Sequence, residues 1–135
     1  MAFIEDIRDR LVAQGVGVYS TNIFMASSAK IPVGDGPYLL LTETGGSEPV
    51  RTHGATQVGR PSAQLLARAK TSPAAKGMLQ AAWVALGGAK GLHNVTLSGT
   101  FYQNILMRQH ITDVGLDEAG RVMFSFNIGT EHTTI

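Results

Sequence analysis

Residues 62–88 read SAQLLARAKTSPAAKGMLQAAWVALGG. The first nine alternate, with Ala63, Leu65, Ala67 and Ala69 on one face and Gln64, Leu66, Arg68 and Lys70 on the other. A period of two is that of a half-buried strand. The period then changes. Ser72 followed by Pro73 predicts a helix N-cap with proline at the first helical position, where no N–H is needed. Ala75, Met78, Leu79, Ala82 and Leu86 recur as a stripe at helical spacing, closed by Gly87 and Gly88. A strand with one apolar face, followed by a helix with one apolar stripe, predicts a sheet covered by helix.

Upstream, Ile4, Ile7, Leu11 and Val12 follow Phe3 at helical spacing, with Glu5, Asp6, Arg8, Asp9 and Arg10 between them, and Gly15 ends the run. The early acids suit the positive end of the helix dipole. Asp6 and Arg10 form an i,i+4 pair worth roughly 0.3 to 0.5 kcal/mol. Gly17 to Ser27 is rich in β-formers, and Tyr38 to Thr44 reads as a strand entered through a turn at Gly34, Asp35, Gly36 and Pro37. These predict two paired strands. From Gly45 to Pro61 bulky apolar residues are nearly absent, which predicts a long exposed loop or arm.

Downstream of His93, Val95 to Leu97 and Thr100 to Arg108 read as strands joined at Ser98 and Gly99. In the second run Phe101, Gln103, Ile105 and Met107 oppose Tyr102, Asn104, Leu106 and Arg108, so neither face is purely apolar. That predicts a strand in contact on both sides. Asp117 to Arg121 is a polar turn with Gly120 placed for positive φ, and Val122, Phe124, Phe126 and Ile128 alternate beyond it. The expected architecture is a single α+β domain over residues 1–135: an antiparallel or mixed sheet, two helices on one face, and a long loop or β-arm at about 45–61.

At 135 residues the chain is large enough to bury about two-thirds of its unfolded surface around one core. It has no cysteine, which removes disulfides and thiolate chemistry and suits a reducing cytoplasm. With 11 basic and 10 acidic residues the formal charge is +1, which supplies no long-range field for polyanions. The apolar runs are far shorter than the roughly 20 residues that span a bilayer, and no signal sequence is expected from the acidic first turns. A soluble, untargeted chain without a membrane partner is expected.

Chemistry-bearing constellations are sparse. His53, His93, His110 and His132 are widely separated, without metal-ligand spacing. The glycines lack phosphate-cradling spacing, and no nucleophile elbow is present. Asp117 and Glu118 are expected to be solvated turn acids. The Asn94, Val95, Thr96 sequon matters only with secretion. Trp83 is expected in the core. No catalytic residue, metal or cofactor is expected. An enzyme would require His53, His93 or His110 to meet Asp35 or Asp113 in a pocket, and a binding module would require Tyr19, Tyr38, Phe101 and Tyr102 to form an exposed cluster.

The succession Arg60, Pro61, Ser62, Ala63, Gln64, a short strand, an alanine-rich helix and Tyr102 in a strand, followed by Val114 to Arg121 leading into Phe124, Ser125, Phe126 and Asn127, resembles the tail terminator family of long-tailed bacteriophages. The resemblance implies a structural virion protein, made in the bacterial cytoplasm, that forms a homo-oligomeric ring, hexameric in the best-known members of the family. Such a ring caps the tail tube protein, stops tail polymerisation and offers a surface to the head-tail connector, with phage DNA passing through the lumen. Another connector or tube component is the alternative. Interface residues are expected at Thr44, Glu48, Arg51, His53 and Arg60, on or beside the loop, and at Arg68 and Arg108, on the less apolar strand faces.

Overall fold

A computed structural model describes residues 3–26, 36–45, 47–51 and 57–134. The chain runs α1 (Phe3–Ala13), β1 (Ile23–Met25), β2 (Tyr38–Glu43), β3 (Ser47–Arg51), β4 (Gln57–Arg60), β5 (Ser62–Ala69), α2 (Ser72–Ala85), a 3₁₀ turn (Gly88–Lys90), β6 (Leu92–Leu97), β7 (Thr100–Leu116) and β8 (Val122–Thr134). Among the described residues the strands form one mixed sheet. Its main path is β1-β2-β5-β8-β4-β3, and β7 pairs with the free side of β8 and with β6. β1 and β2 are parallel; every other pair is antiparallel.

β5 is the centre of the core, and its alternation is the one read from sequence. Ala63, Leu65, Ala67 and Ala69 are fully buried, flanked by Leu39 and Leu41 of β2 and by Phe124, Phe126 and Ile128 of β8. Four alanine and leucine side chains in a row leave a shallow floor. On it lie Phe3, Ile4, Ile7 and Leu11 of α1 and Ala75, Met78, Leu79 and Ala82 of α2. Both helices cover the same face, as expected. The N-cap of α2 is Thr71 rather than Ser72: its extended backbone (φ −120°, ψ 152°) lets its hydroxyl accept the Ala74 N–H, which puts Pro73 second in the helix. Trp83 is half-buried against Phe126, with ring centroids 5.3 Å apart.

The expected Asp6–Arg10 pair does not form. Asp6 is 5% exposed and accepts a 2.6 Å hydrogen bond from the Tyr102 hydroxyl, while Arg10 donates to the Ala85 carbonyl at the C-terminus of α2. A cation there favours the negative end of the helix dipole.

The described residues of the 45–61 segment are largely strand. β3 and β4 form an antiparallel arm whose inner strand joins the far end of β8 through Gln57↔Thr134, Val58↔Thr133 and Gly59↔His132. Such an arm pairs by backbone, so the apolar alternation that marks a core strand is missing. Pro49 and a register shift lie in β3, the edge strand, where a missing donor disturbs no ladder.

β7 also departs from expectation. Its mixed faces go with four register shifts against β8, each placing an extra residue on β7. The shift between Tyr102 and Asn104 turns both Tyr102 and Ile105 inward although they are three residues apart, and leaves Phe101 44% exposed. Asn94 of β6 takes a left-handed conformation (φ 51°) beside this shift, which asparagine tolerates.

Candidate assembly surface

On the sheet face away from the helices, the β5–β8 ladder ends beside the start of β5 in an open cleft of about 420 Å³. Thr44, Arg60, Ser62, Arg108, Asn127 and Gly129 line it, so three of the seven expected interface residues converge here. Sheet order brings them together. Ser62 pairs with Gly129 and Gln64 with Asn127 across β5 and β8, Thr44 follows β2, Arg60 ends β4, and Arg108 sits where β7 shifts register. The hydroxyls of Thr44 and Ser62 share a 2.6 Å hydrogen bond at its edge.

Gly129 makes room for Arg108. A Cβ there would collide with the Arg108 Nε and crowd its Cγ and Cδ, so the guanidinium stem lies across a bare stretch of β8 backbone. Arg108 is exposed and has no carboxylate partner among the described residues. Arg60 stands 3.9 Å from Glu131, a loose and largely exposed pair, and Glu131 also accepts from the Asn104 amide at 3.2 Å. Two guanidiniums therefore line the cleft, with one carboxylate, Glu131, loosely beside Arg60. A buried Asn127 carbonyl oxygen without a donor borders it, while the Asn127 amide donates to Gln109 at 2.7 Å. The arrangement fits a carboxylate-bearing partner.

Arg68 belongs elsewhere. It is mostly buried, 3.8 Å from Asp117, with its guanidinium over the Tyr38 ring. It clamps the β7–β8 turn onto the sheet and is a fold support. Asp117 is likewise no solvated turn acid: one carboxylate oxygen accepts the N–H groups of Ala119 (3.0 Å) and Arg121 (2.8 Å), and the other faces the Arg121 guanidinium at 3.2 Å. The Arg121 N–H, its guanidinium, the Ala119 N–H and the Arg68 charge hold its pKa below the ordinary value against the opposing effect of burial. Gly120 has the expected positive φ (78°). Glu48 and Arg51 fall on β3, whose side chains are not described, and His53 lies outside the described residues.

The histidines gather no metal site among the described residues. His93 bonds the Lys90 carbonyl, and His110 lies against Trp83. Sequence reading missed the polar cluster that does form, Asp6 with Tyr102 and His132. His132 is 4% exposed and stacks edge-on to Tyr102 at 5.7 Å. Burial and the Asp6 hydrogen bond push the Tyr102 phenol far up, so it stays a neutral donor; burial pushes His132 below the ordinary imidazole value, against the pull of Asp6. The sequence signal was available in Asp6 alone, an acid next to Ile7 on the apolar side of α1. The aromatics do not cluster at the surface: Tyr102 is buried, Tyr38 packs on Phe24, and Tyr19 lies under Arg8. No described helix is long and apolar enough to cross a membrane.

Comparison with known proteins agrees with this reading of the fold. A chain of the structure described as "Virion of native gene transfer agent (GTA) particle" superposes with a TM-score of 0.62 at 16% identity, covering 98% of this chain and 96% of that one. At that identity the likeness concerns the fold. No curated protein matches the sequence. The family model for the bacteriophage tail terminator protein matches residues 10–134, from the last turn of α1 to the end of β8. The chain belongs to the bacteriophage tail terminator family, structural proteins of the phage tail.

Proposed function

We propose that this protein closes into a ring, six subunits in the arrangement the family resemblance implies, which seats on the last ring of the tail tube and stops its growth. The ring's opposite surface meets the head connector at the head-tail junction, and DNA passes through the lumen without specific binding. Synthesis takes place in the host cytoplasm. The observation that carries this reading is the family match across residues 10–134. The geometry is compatible with it. Cyclic assembly needs two different, complementary surfaces on one subunit, and the sheet offers several: the β3 edge of the arm, the β1 and β6 edges, and the stretch of β7 beyond Ile105 that no strand covers among the described residues. The near-neutral charge suits a conduit that must not hold DNA.

The test is the mass of the purified protein by light scattering across a concentration series, with electron microscopy of the larger species. Single closed rings, or addition to the ends of preformed tail tubes that halts their growth, are expected. Open tubes formed by this protein alone would identify a tube subunit instead, and a fixed dimer would remove the ring.

A further inference from the structure

The arginine cleft and the β7–β8 turn lie at opposite ends of one ladder. The cleft is at the Ser62↔Gly129 end and the turn at the Ala69↔Val122 end. At the ordinary strand rise these ends are roughly 23 Å apart, so the turn of a subunit cannot enter its own cleft.

The two ends are complementary in charge. The cleft carries the excess cation, with Arg108 unpaired among the described residues. The turn carries Glu118, exposed, with no hydrogen-bond or ion-pair partner among the described residues. The other acids nearby are occupied: Asp117 caps the turn and Asp113 accepts the Gly115 N–H at 2.8 Å. Glu118 is also presented on a rigid support. The Gly120 N–H bonds the Asp117 carbonyl, the Asp117 N–H bonds the Arg121 carbonyl, and Arg68 ties Asp117 to the sheet. A carboxylate held in this way loses little conformational freedom on docking. Leu116, 67% exposed, leads into the turn and adds apolar surface that docking removes from water.

We propose that Glu118, at the β7–β8 turn of one subunit, docks into the Arg60–Arg108 cleft of a second copy of this chain. The contact is head-to-tail because its two halves are different surfaces, and repetition around an axis closes a ring. This inference rests on the ring reading above and names the surfaces that make it.

The experiment is a charge swap in the full chain. Arg108→Glu, Glu118→Arg and the double variant are compared with the unaltered protein for ring fraction against concentration, by light scattering and electron microscopy. Each is first checked for an unchanged thermal melt. Each single variant is expected to raise the concentration needed for assembly by about tenfold or more, because it sets like charges against each other, and the double variant to restore it. Gly129→Ala provides a second probe that keeps every charge. The added methyl displaces the flexible Arg108 stem without a backbone clash, at a position without positive φ, so it should keep the fold and weaken assembly. Single variants that assemble like the unaltered protein, or a double variant as impaired as the singles, overturn the docking while leaving the ring intact. An unaltered protein that never closes rings overturns both.

Discussion

Tyr102 is the side chain on which the two halves of the domain meet. Its ring packs against Phe3 of α1 and His132 of β8, and its hydroxyl satisfies Asp6, which is nearly fully buried. Replacing it with phenylalanine keeps the shape and strands a carboxylate, so Tyr102→Phe should cost about 1.5 to 3 kcal/mol of unfolding free energy in denaturant titration. His132 gives the same cluster a pH dependence. Its folded-state pKa lies below the ordinary value of 6.5, so the unfolded chain binds the proton more readily. The stability due to neutral burial is therefore complete above that value and declines as pH falls from it towards the lowered folded-state pKa. Melting temperatures across this range should fall for the unaltered protein and flatten for His132→Phe.

Among the elements, β5 and α2 were legible because each has one dry face, and burial on one side imposes a period that a sequence displays directly. The strand β7 was legible over Thr100 to Arg108 but not in its continuation to Leu116 or in its facing. Strict alternation puts Phe101 and Ile105 on the same side, yet one is 44% exposed and the other fully buried. A bulge costs one residue of phase, and nothing in the residues from Tyr102 to Ile105 marks where it falls. Substitutions separate the two accounts: Phe101→Ser should stay within about 0.5 kcal/mol of the unaltered protein, while Ile105→Ala should lose about 2 to 5 kcal/mol. The β3–β4 segment was legible only as a loop or arm, without its strand pairing, for a related reason. Its strands pair by main-chain hydrogen bonds at the rim of the sheet, and such pairing places few demands on side chains.

For the whole molecule, one sheet serves two ends. Its helix-covered face is the core, and its open face carries the cationic cleft at one end of the β5–β8 ladder and the capped turn at the other. An assembly joined through exposed charge pairs responds to salt, because the Debye length falls from about 10 Å at 0.1 M to about 3 Å at 1 M. Ring formation by the unaltered protein should therefore weaken between those concentrations, read as a rising midpoint in light scattering. The melt of the monomer, whose core is apolar, should change little.

The sequence by itself determined the α+β class, both helices, the central strand, the closing turn with Gly120, and the tail terminator resemblance that the family match bears out. These rest on local periods, turn chemistry and short motifs, all readable over a few adjacent residues. The tertiary structure alone decided which charged groups are free. Arg68 and Arg108 both sit on polar strand faces, but the register of β5 against β8 puts Arg68 beside Asp117, and a bulge in β7 lays Arg108 over Gly129 in an open cleft. Asp6 looked like a helix-surface acid and is the buried acceptor of Tyr102. Such assignments depend on which distant strand or helix arrives alongside, and that is set by sheet order and register, which no local period encodes.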